Sequence, residues 1–259
     1  MEKQIESAKE SARHVVWISP PRVELLRYAA WCMPRTVREV TSAVRLLGAY
    51  RQRGWFTSVS RNASVDRQGQ ALPLLTYPSI DWLESVLRPE DQVFEYGMGG
   101  STLWFAERVA HVTSVDHTPG WVKRFQLPRN VAVTVVEFRG NMLYADQDSP
   151  YVNAISKSGR MFDVILVDGM ARLSCVEAAH RTLKPSGLII FDNSDKPSNH
   201  PAFQRLADWD YVRIDFCGTR PRGTLLGCTS VFSREMDGWL RRARPPRYWG
   251  RSISEFHWR

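Results

Sequence analysis

Glu95, Gly97, Gly99 and Asp116 are the residues whose types and spacing point most directly to chemistry. They lie in Val93-Phe94-Glu95-Tyr96-Gly97-Met98-Gly99-Gly100-Ser101-Thr102 and in Val115-Asp116. In the first stretch an apolar strand delivers an acid into a glycine-rich turn, and Ser101 opens the following helix. Glycines lack a Cβ, so a ligand can approach the backbone where helical N–H groups begin. An acid roughly 20 residues further on, at the end of a second strand, can accept hydrogen bonds from both hydroxyls of a ribose. The pattern predicts a nucleoside-cofactor cradle on the Glu95 to Ser101 edge, with Asp116 as the ribose acceptor. A nicotinamide dinucleotide uses similar geometry, but its fingerprint wants a third Gly or Ala where this chain has Thr102.

A second cluster comes from Phe162-Asp163-Val164-Ile165-Leu166-Val167-Asp168-Gly169 and from Leu183-Lys184-Pro185-Ser186-Gly187-Leu188-Ile189-Ile190-Phe191-Asp192-Asn193. Both apolar runs end in polar residues, and strand C-terminal ends are where open α/β sheets bind ligands. Asp168, Asp192 and Asn193 are therefore expected to converge around a substrate. Such an oxygen-only set would suit Mg2+ or Mn2+ rather than zinc. Arg172, four residues after Asp168, is a candidate to hold a substrate carboxylate or phosphate. Asp168 and His117 are the candidate proton acceptors, because histidine titrates near neutrality. His180 is a further candidate base, but it falls within a helical stretch and reads as a packing or surface residue; most of the ten tryptophans read as packing.

Positioning these side chains requires strands alternating with helices. Apolar runs at Gln92 to Tyr96, Val112 to Asp116, Val131 to Phe138, Phe162 to Val167 and Gly187 to Phe191 predict five strands. Helices are expected at Ser101 to Ala110, Gly120 to Phe125, Tyr151 to Ser156 and Leu173 to Leu183. Alternation of this kind predicts a doubly wound, mostly parallel α/β sheet. Tyr211 to Phe216 and Gly227 to Phe232, flanking Pro221-Arg222-Gly223, predict a C-terminal antiparallel hairpin.

Before residue 71 the pattern differs. Residues 1 to 70 read as a helical N-terminal extension: a polar first stretch, a helix from Pro20 to Met33, and a second from Thr36. Thr36 and Glu39 have capping-box spacing, and Val37, Val40, Val44 and Leu47 share one face. Ser58 to Gln70 is polar and aperiodic and reads as a connector. Residues 71 to 233 form the α/β domain, and 234 to 259 a basic tail.

On Glu95, the glycine turn and Asp116, the α/β part resembles class I S-adenosylmethionine-dependent methyltransferases, and Leu183-Lys184-Pro185-Ser186-Gly187 resembles the segment preceding their fifth strand. The resemblance implies a Rossmann-like sheet and S-adenosyl-L-methionine as cofactor. It also implies that Glu95 orients the methionine amino group, Gly97 and Gly99 let the backbone pass close to the methionine moiety, Asp116 binds the ribose, and Asn141 contacts adenine. Asp168, Asp192 and Asn193 further resemble the cation-binding set of catechol-type O-methyltransferases. With its N-terminal extension, the chain is similar to bacterial methyltransferases directed at small molecules or glycans, which implies transfer to oxygen. RNA methylation and cofactor binding without turnover are the alternatives. The Asn-Pro-Pro-aromatic motif of base N-methylation is replaced by Asp168-Gly169-Met170-Ala171.

The chain has 259 residues and a net charge of +8, concentrated at its ends. Residues 1 to 60 carry ten Lys or Arg against five Asp or Glu, and residues 234 to 259 carry seven against three. Basic flanks suit anionic partners: a membrane surface, a phosphorylated metabolite or, less readily, nucleic acid. The apolar stripe at Val37 to Leu47 fits packing on the domain, a homo-oligomer contact or peripheral membrane contact. Four dispersed cysteines with no CxxC pair, no signal-like start and no 18-residue apolar run predict a reducing, cytoplasmic setting.

Overall fold

The computed structural model describes residues 34–146, 148–244, 247, 248, 251 and 252. The expected helix from Pro20 to Met33 and the polar stretch before it lie outside the described residues. The chain divides into two units, residues 1–47 with 254–259 and residues 48–253. Helix α1 (Arg35–Gln52) realises the expected second helix, with no buried residue. Val37, Val40, Val44 and Leu47 are all exposed. The capping box does not form: the helix begins at Arg35, and Glu39 accepts a 2.8 Å hydrogen bond from Arg35 Nε.

Seven strands form one sheet: β1 (Gln92–Tyr96), β2 (His111–Asp116), β3 (Val131–Val135), β4 (Phe162–Val167), β5 (Leu183–Asp192), β6 (Val212–Gly218) and β7 (Gly227–Ser233). Their order is β3-β2-β1-β4-β5-β7-β6. The first five pair in parallel, while β7 runs antiparallel to both β5 and β6. This is the doubly wound, Rossmann-like sheet with a C-terminal hairpin that the sequence predicted. β3 ends at Val135, before the predicted Phe138, and β5 starts at Leu183, so the expected helix-ending segment is already strand.

The central strands are mostly apolar because both of their faces are covered. Phe94, Tyr96, Ile165, Val167, Ile189 and Phe191 enter one core beneath α6 (Pro150–Lys157), α7 (Arg172–Thr182) and α8 (His200–Asp208). Val93, Val164, Leu166, Leu188 and Ile190 enter the other, beneath α3 (Tyr77–Val86), α4 (Gly100–Ala106) and α9 (Met236–Arg242). The short α5 (Pro119–Val122) follows β2.

Four helices, α2 (Trp55–Arg61), α3, α8 and α9, have no counterpart in the sequence reading. α3 was legible as Thr76 followed by Pro78 in the first turn, a common helix opening. α9 opens the expected basic tail, with Trp239 buried and its indole N–H donating to Ser186 O at 2.7 Å. α2 runs into the expected connector, which continues as a loop closed by a Val65–Ala71 bridge.

That loop lies directly on the start of α4. A Cβ at Gly100 would sit 2.5 Å from Leu72 O, whereas one at Gly120, in α5, would meet nothing within 4 Å. Gly100→Ala should therefore destabilise the protein by ~1–3 kcal/mol through overpacking. Gly120→Ala should be neutral or stabilising by up to ~1 kcal/mol. Urea unfolding of the two variants against the parent checks both expectations.

Candidate functional site

Strand order reverses between β1 and β4, and the C-terminal ends of these strands open onto a cavity of about 840 Å³. A crevice at such a switch point is the usual ligand site of an open α/β sheet. Gly97, Met98, Gly99, Ser101, Asp116, His117, Asp168 and Gly169 all line it. Gly97 has φ +91°, and a Cβ there would press on Gly169 Cα at 3.0 Å, so the turn after β1 can run against the turn after β4 only as glycine.

Glu95 lies behind this turn. It is fully buried, and its carboxylate accepts hydrogen bonds from the hydroxyls of Ser101, Thr102 and Ser114. Thr102 Oγ1 in turn accepts Gly99 N–H at 3.0 Å. The implied direct contact of Glu95 with a ligand amino group gives way to an inner brace that ties β1, β2 and the opening of α4 together. Burial pushes its carboxyl up to about 7, against the pull of the three hydroxyls.

Asp116 stands where the ribose acceptor was expected. It is nearly buried, and its oxygens accept Met98 N–H at 2.9 Å and Thr118 N–H at 2.8 Å. Each oxygen keeps further lone-pair capacity for a ligand hydroxyl. Beside it, the His117 ring, 39% exposed, meets the edges of Phe138 and Tyr151. Trp121 shapes the same wall and donates its indole N–H to Met98 O at 2.7 Å. Asn141 is placed differently from the expected adenine contact: its Oδ1 accepts the N–H groups of Leu143 and Tyr144 at 2.8 and 2.9 Å, so it builds a turn and Met142 lines the cavity. His180 stacks on Trp209 at 4.0 Å, the packing role expected of it.

Asp168 reaches the cavity wall and does converge with Asp192, but arginines join them. Arg172 is buried, pairs with Asp168 Oδ1 at 2.9 Å, and donates to the main-chain oxygens of Gly169 and Asp192. It is a brace between β4 and β5, which corrects the expected substrate role. Asp192 takes the Thr229 hydroxyl at 2.8 Å on one oxygen and Arg220 at 3.3 Å on the other. Burial raises both carboxyls, and for Asp168 the neighbouring Asp192 adds to the rise. Asn193 has φ +57° and its Oδ1 faces Lys196 Nζ at 3.4 Å.

This donor set does not fit the metal alternative. Guanidinium groups already face the Asp168 and Asp192 oxygens that Mg2+ or Mn2+ would need, and displacing them would strand a buried charge, while the Asn193 oxygen faces the Lys196 ammonium. Among the described residues no three His, Cys, Asp or Glu side chains form a group that could hold a metal ion.

The opposite wall escaped the sequence reading. Ser64 and Gln70 from the polar connector, with Leu72 and Leu74 just after it, line the cavity together with Arg222 of the β6–β7 loop, whose guanidinium donates to Asn62 O at 2.9 Å. Trp55 Nε1 donates to Gly223 O at 2.8 Å and draws the same two segments together. The only sequence signal for this wall was the proximity of Arg220 and Arg222 to a predicted hairpin turn.

No family model and no curated protein matches the chain. Among solved structures it is similar to precorrin 8w decarboxylase from Methanobacterium thermoautotrophicum, with 20% identity over 60% of this chain and 87% of that one and a TM-score of 0.42. An rRNA methylase from Streptococcus thermophilus gives 11% identity over 60% and 95% of the two chains, with a TM-score of 0.43. Spermidine synthase from Thermotoga maritima gives 12% identity over 63% and 59%, with a TM-score of 0.44. Among the described residues no helix is long and apolar enough to cross a membrane.

The raised Glu95 carboxyl sets a pH test. The folded state holds this proton up to about 7 while the unfolded chain releases it near 4.5, so the Glu95 contribution falls as pH rises through that window. Glu95→Gln should therefore gain stability relative to the parent between those values, by up to ~3 kcal/mol. Denaturant titrations of both proteins from acid to mildly alkaline pH should give diverging stabilities; parallel curves would contradict the assignment.

Proposed function

We propose that the chain transfers a methyl group from S-adenosyl-L-methionine to a small-molecule or glycan acceptor, at oxygen. The observation that carries this reading is the pairing, on one cavity, of Asp116 beside the Gly97-Met98-Gly99 turn with Asp168 at the neighbouring strand end. Both Asp116 oxygens are already oriented by backbone N–H groups, so a ribose would meet a carboxylate fixed in place. Gly97 and Gly99 leave the backbone open to the methionine portion, and Trp121 and Met142 offer apolar surface to a base.

The cofactor supplies an electrophilic sulfonium methyl, so the protein needs no covalent nucleophile. What the protein must do is align the acceptor and remove a proton. Asp168 is suited to the proton transfer, because burial and Asp192 raise its proton affinity toward that needed at neutral pH while Arg172 holds its direction. His117 is the second candidate on the same wall. A hydroxyl acceptor, which must lose its proton, fits such a base. Arg222 and Arg124 at the cavity rim favour an acceptor bearing negative charge.

Calorimetry with S-adenosylhomocysteine tests the cofactor half. The parent protein should bind it, and Asp116→Ala should weaken binding by ~1.5–3 kcal/mol, the worth of hydrogen bonds to a charged acceptor. A parent that binds NAD and neither S-adenosyl ligand would reject the proposal. For the chemical half, labelled cofactor and a metabolite extract should yield a methylated product. Asp168→Asn should slow its formation by ~10²–10⁴-fold while leaving S-adenosylhomocysteine affinity nearly unchanged.

A further inference from the structure

Cys217 on β6 stands directly opposite Cys228 on β7. Residues facing one another across an antiparallel pair project to the same face of the sheet. The backbone of Cys228 fixes the kind of pair: its N–H donates to Asp195 Oδ1 at 3.1 Å and its carbonyl accepts Ser194 N–H at 3.0 Å. Both groups thus turn away from β6, which makes Cys217 and Cys228 a non-hydrogen-bonded pair. Cα atoms in such pairs are about 4.5 Å apart, the closer of the two antiparallel spacings. That lies within the ~4.4–6.8 Å that a disulfide spans.

The two thiols differ in access. Cys217 is exposed and Cys228 is buried, and both are free. Cys228 lies beside Thr229, whose hydroxyl holds Asp192. The residues between the two cysteines include Arg220, which pairs with Asp192, and Arg222, which holds Asn62 O on the cavity wall. A bond between the cysteines would close the neck of this loop.

We propose that Cys217 and Cys228 form a reversible dithiol–disulfide site that reacts with small-molecule disulfides such as oxidised glutathione. The Cys217 thiolate attacks one glutathione sulfur, forms a mixed disulfide and releases one glutathione thiolate, which takes up a proton. Cys228 Sγ, losing its proton, then attacks Cys217 Sγ and expels the second glutathione. Two thiols are oxidised and one glutathione disulfide is reduced to two thiols. Burial holds the Cys228 thiol proton tightly, at about 11, which makes Cys217 the first to react and Cys228 the resolving partner.

The test uses the full chain with oxidised glutathione, followed by alkylation and peptide mapping. The expected result is a peptide linking Cys217 to Cys228, a mass lower by two hydrogens, and reversal by dithiothreitol. The oxidised protein should also melt several degrees higher, because the cross-link constrains the unfolded chain. Cys217→Ser should abolish both the link and the shift. Cys228→Ser should instead accumulate a stable glutathione adduct on Cys217. A parent in which both thiols remain alkylatable, or in which the adduct persists on Cys217 without passing to Cys228, would overturn the proposal. The readouts do not depend on methyl transfer, so they stand apart from the proposed function.

Discussion

A single buried carboxyl organises the glycine-turn edge of the sheet. Glu95 has no access to water, and a carboxyl in that position requires hydrogen-bond partners on its oxygens. The three that it finds come from different elements: Ser114 from β2, and Ser101 and Thr102 from the first turn of α4. Satisfying one acid therefore sets the distance between two strands and the entry angle of a helix. The glycine turn between Tyr96 and Gly100 has no other course than across the mouth of the sheet. Asp116 then completes the turn from the far side by accepting Met98 N–H.

The other half of the edge obeys the opposite logic. There, two carboxylates at neighbouring strand ends would repel, and Arg172 and Arg220 are placed to offset that repulsion. Arg172 is nearly inaccessible and bonds three main-chain or side-chain sites at once. The compensation is asymmetric: Asp192 is enclosed by Thr229 and Arg220, whereas Asp168 retains a face on the cavity. One acid becomes scaffold and its neighbour remains available for chemistry, although both arrive by the same strand-end geometry.

Sequence reading reached the sheet because burial on both faces leaves long apolar runs that few other structures produce. It brought Gly97, Gly99 and Asp116 to one cavity because a tight strand-to-helix turn and an acid at the next strand end each leave a particular residue type at a particular position. It did not reach the roles of Asn141, Arg172 and Glu95, since residue type does not reveal which donors and acceptors a side chain will meet. Asn141 caps a turn and Arg172 spans two strands; both are determined by neighbours distant in sequence. The polar stretch from Ser58 to Gln70 hid its place on the cavity for another reason: a wall drawn largely from loop residues has no periodicity to detect. Gly100, whose missing Cβ admits Leu72 O, sits at the contact, but a glycine after a glycine turn attracts no notice.

The position of β7 has a consequence for biosynthesis. It is the seventh strand in chain order yet lies inside the sheet, between β5 and β6, with all of its residues buried. Until residues 227–233 leave the ribosome, the apolar margin of β5 has no neighbour. At ~5–20 residues per second, the ~35 residues between β5 and β7 keep that margin open for seconds. An unpaired margin of this kind is a template for another chain. The nascent protein thus passes through an interval in which one margin of this strand is unprotected, and escape from co-aggregation depends on how quickly the β6–β7 hairpin inserts.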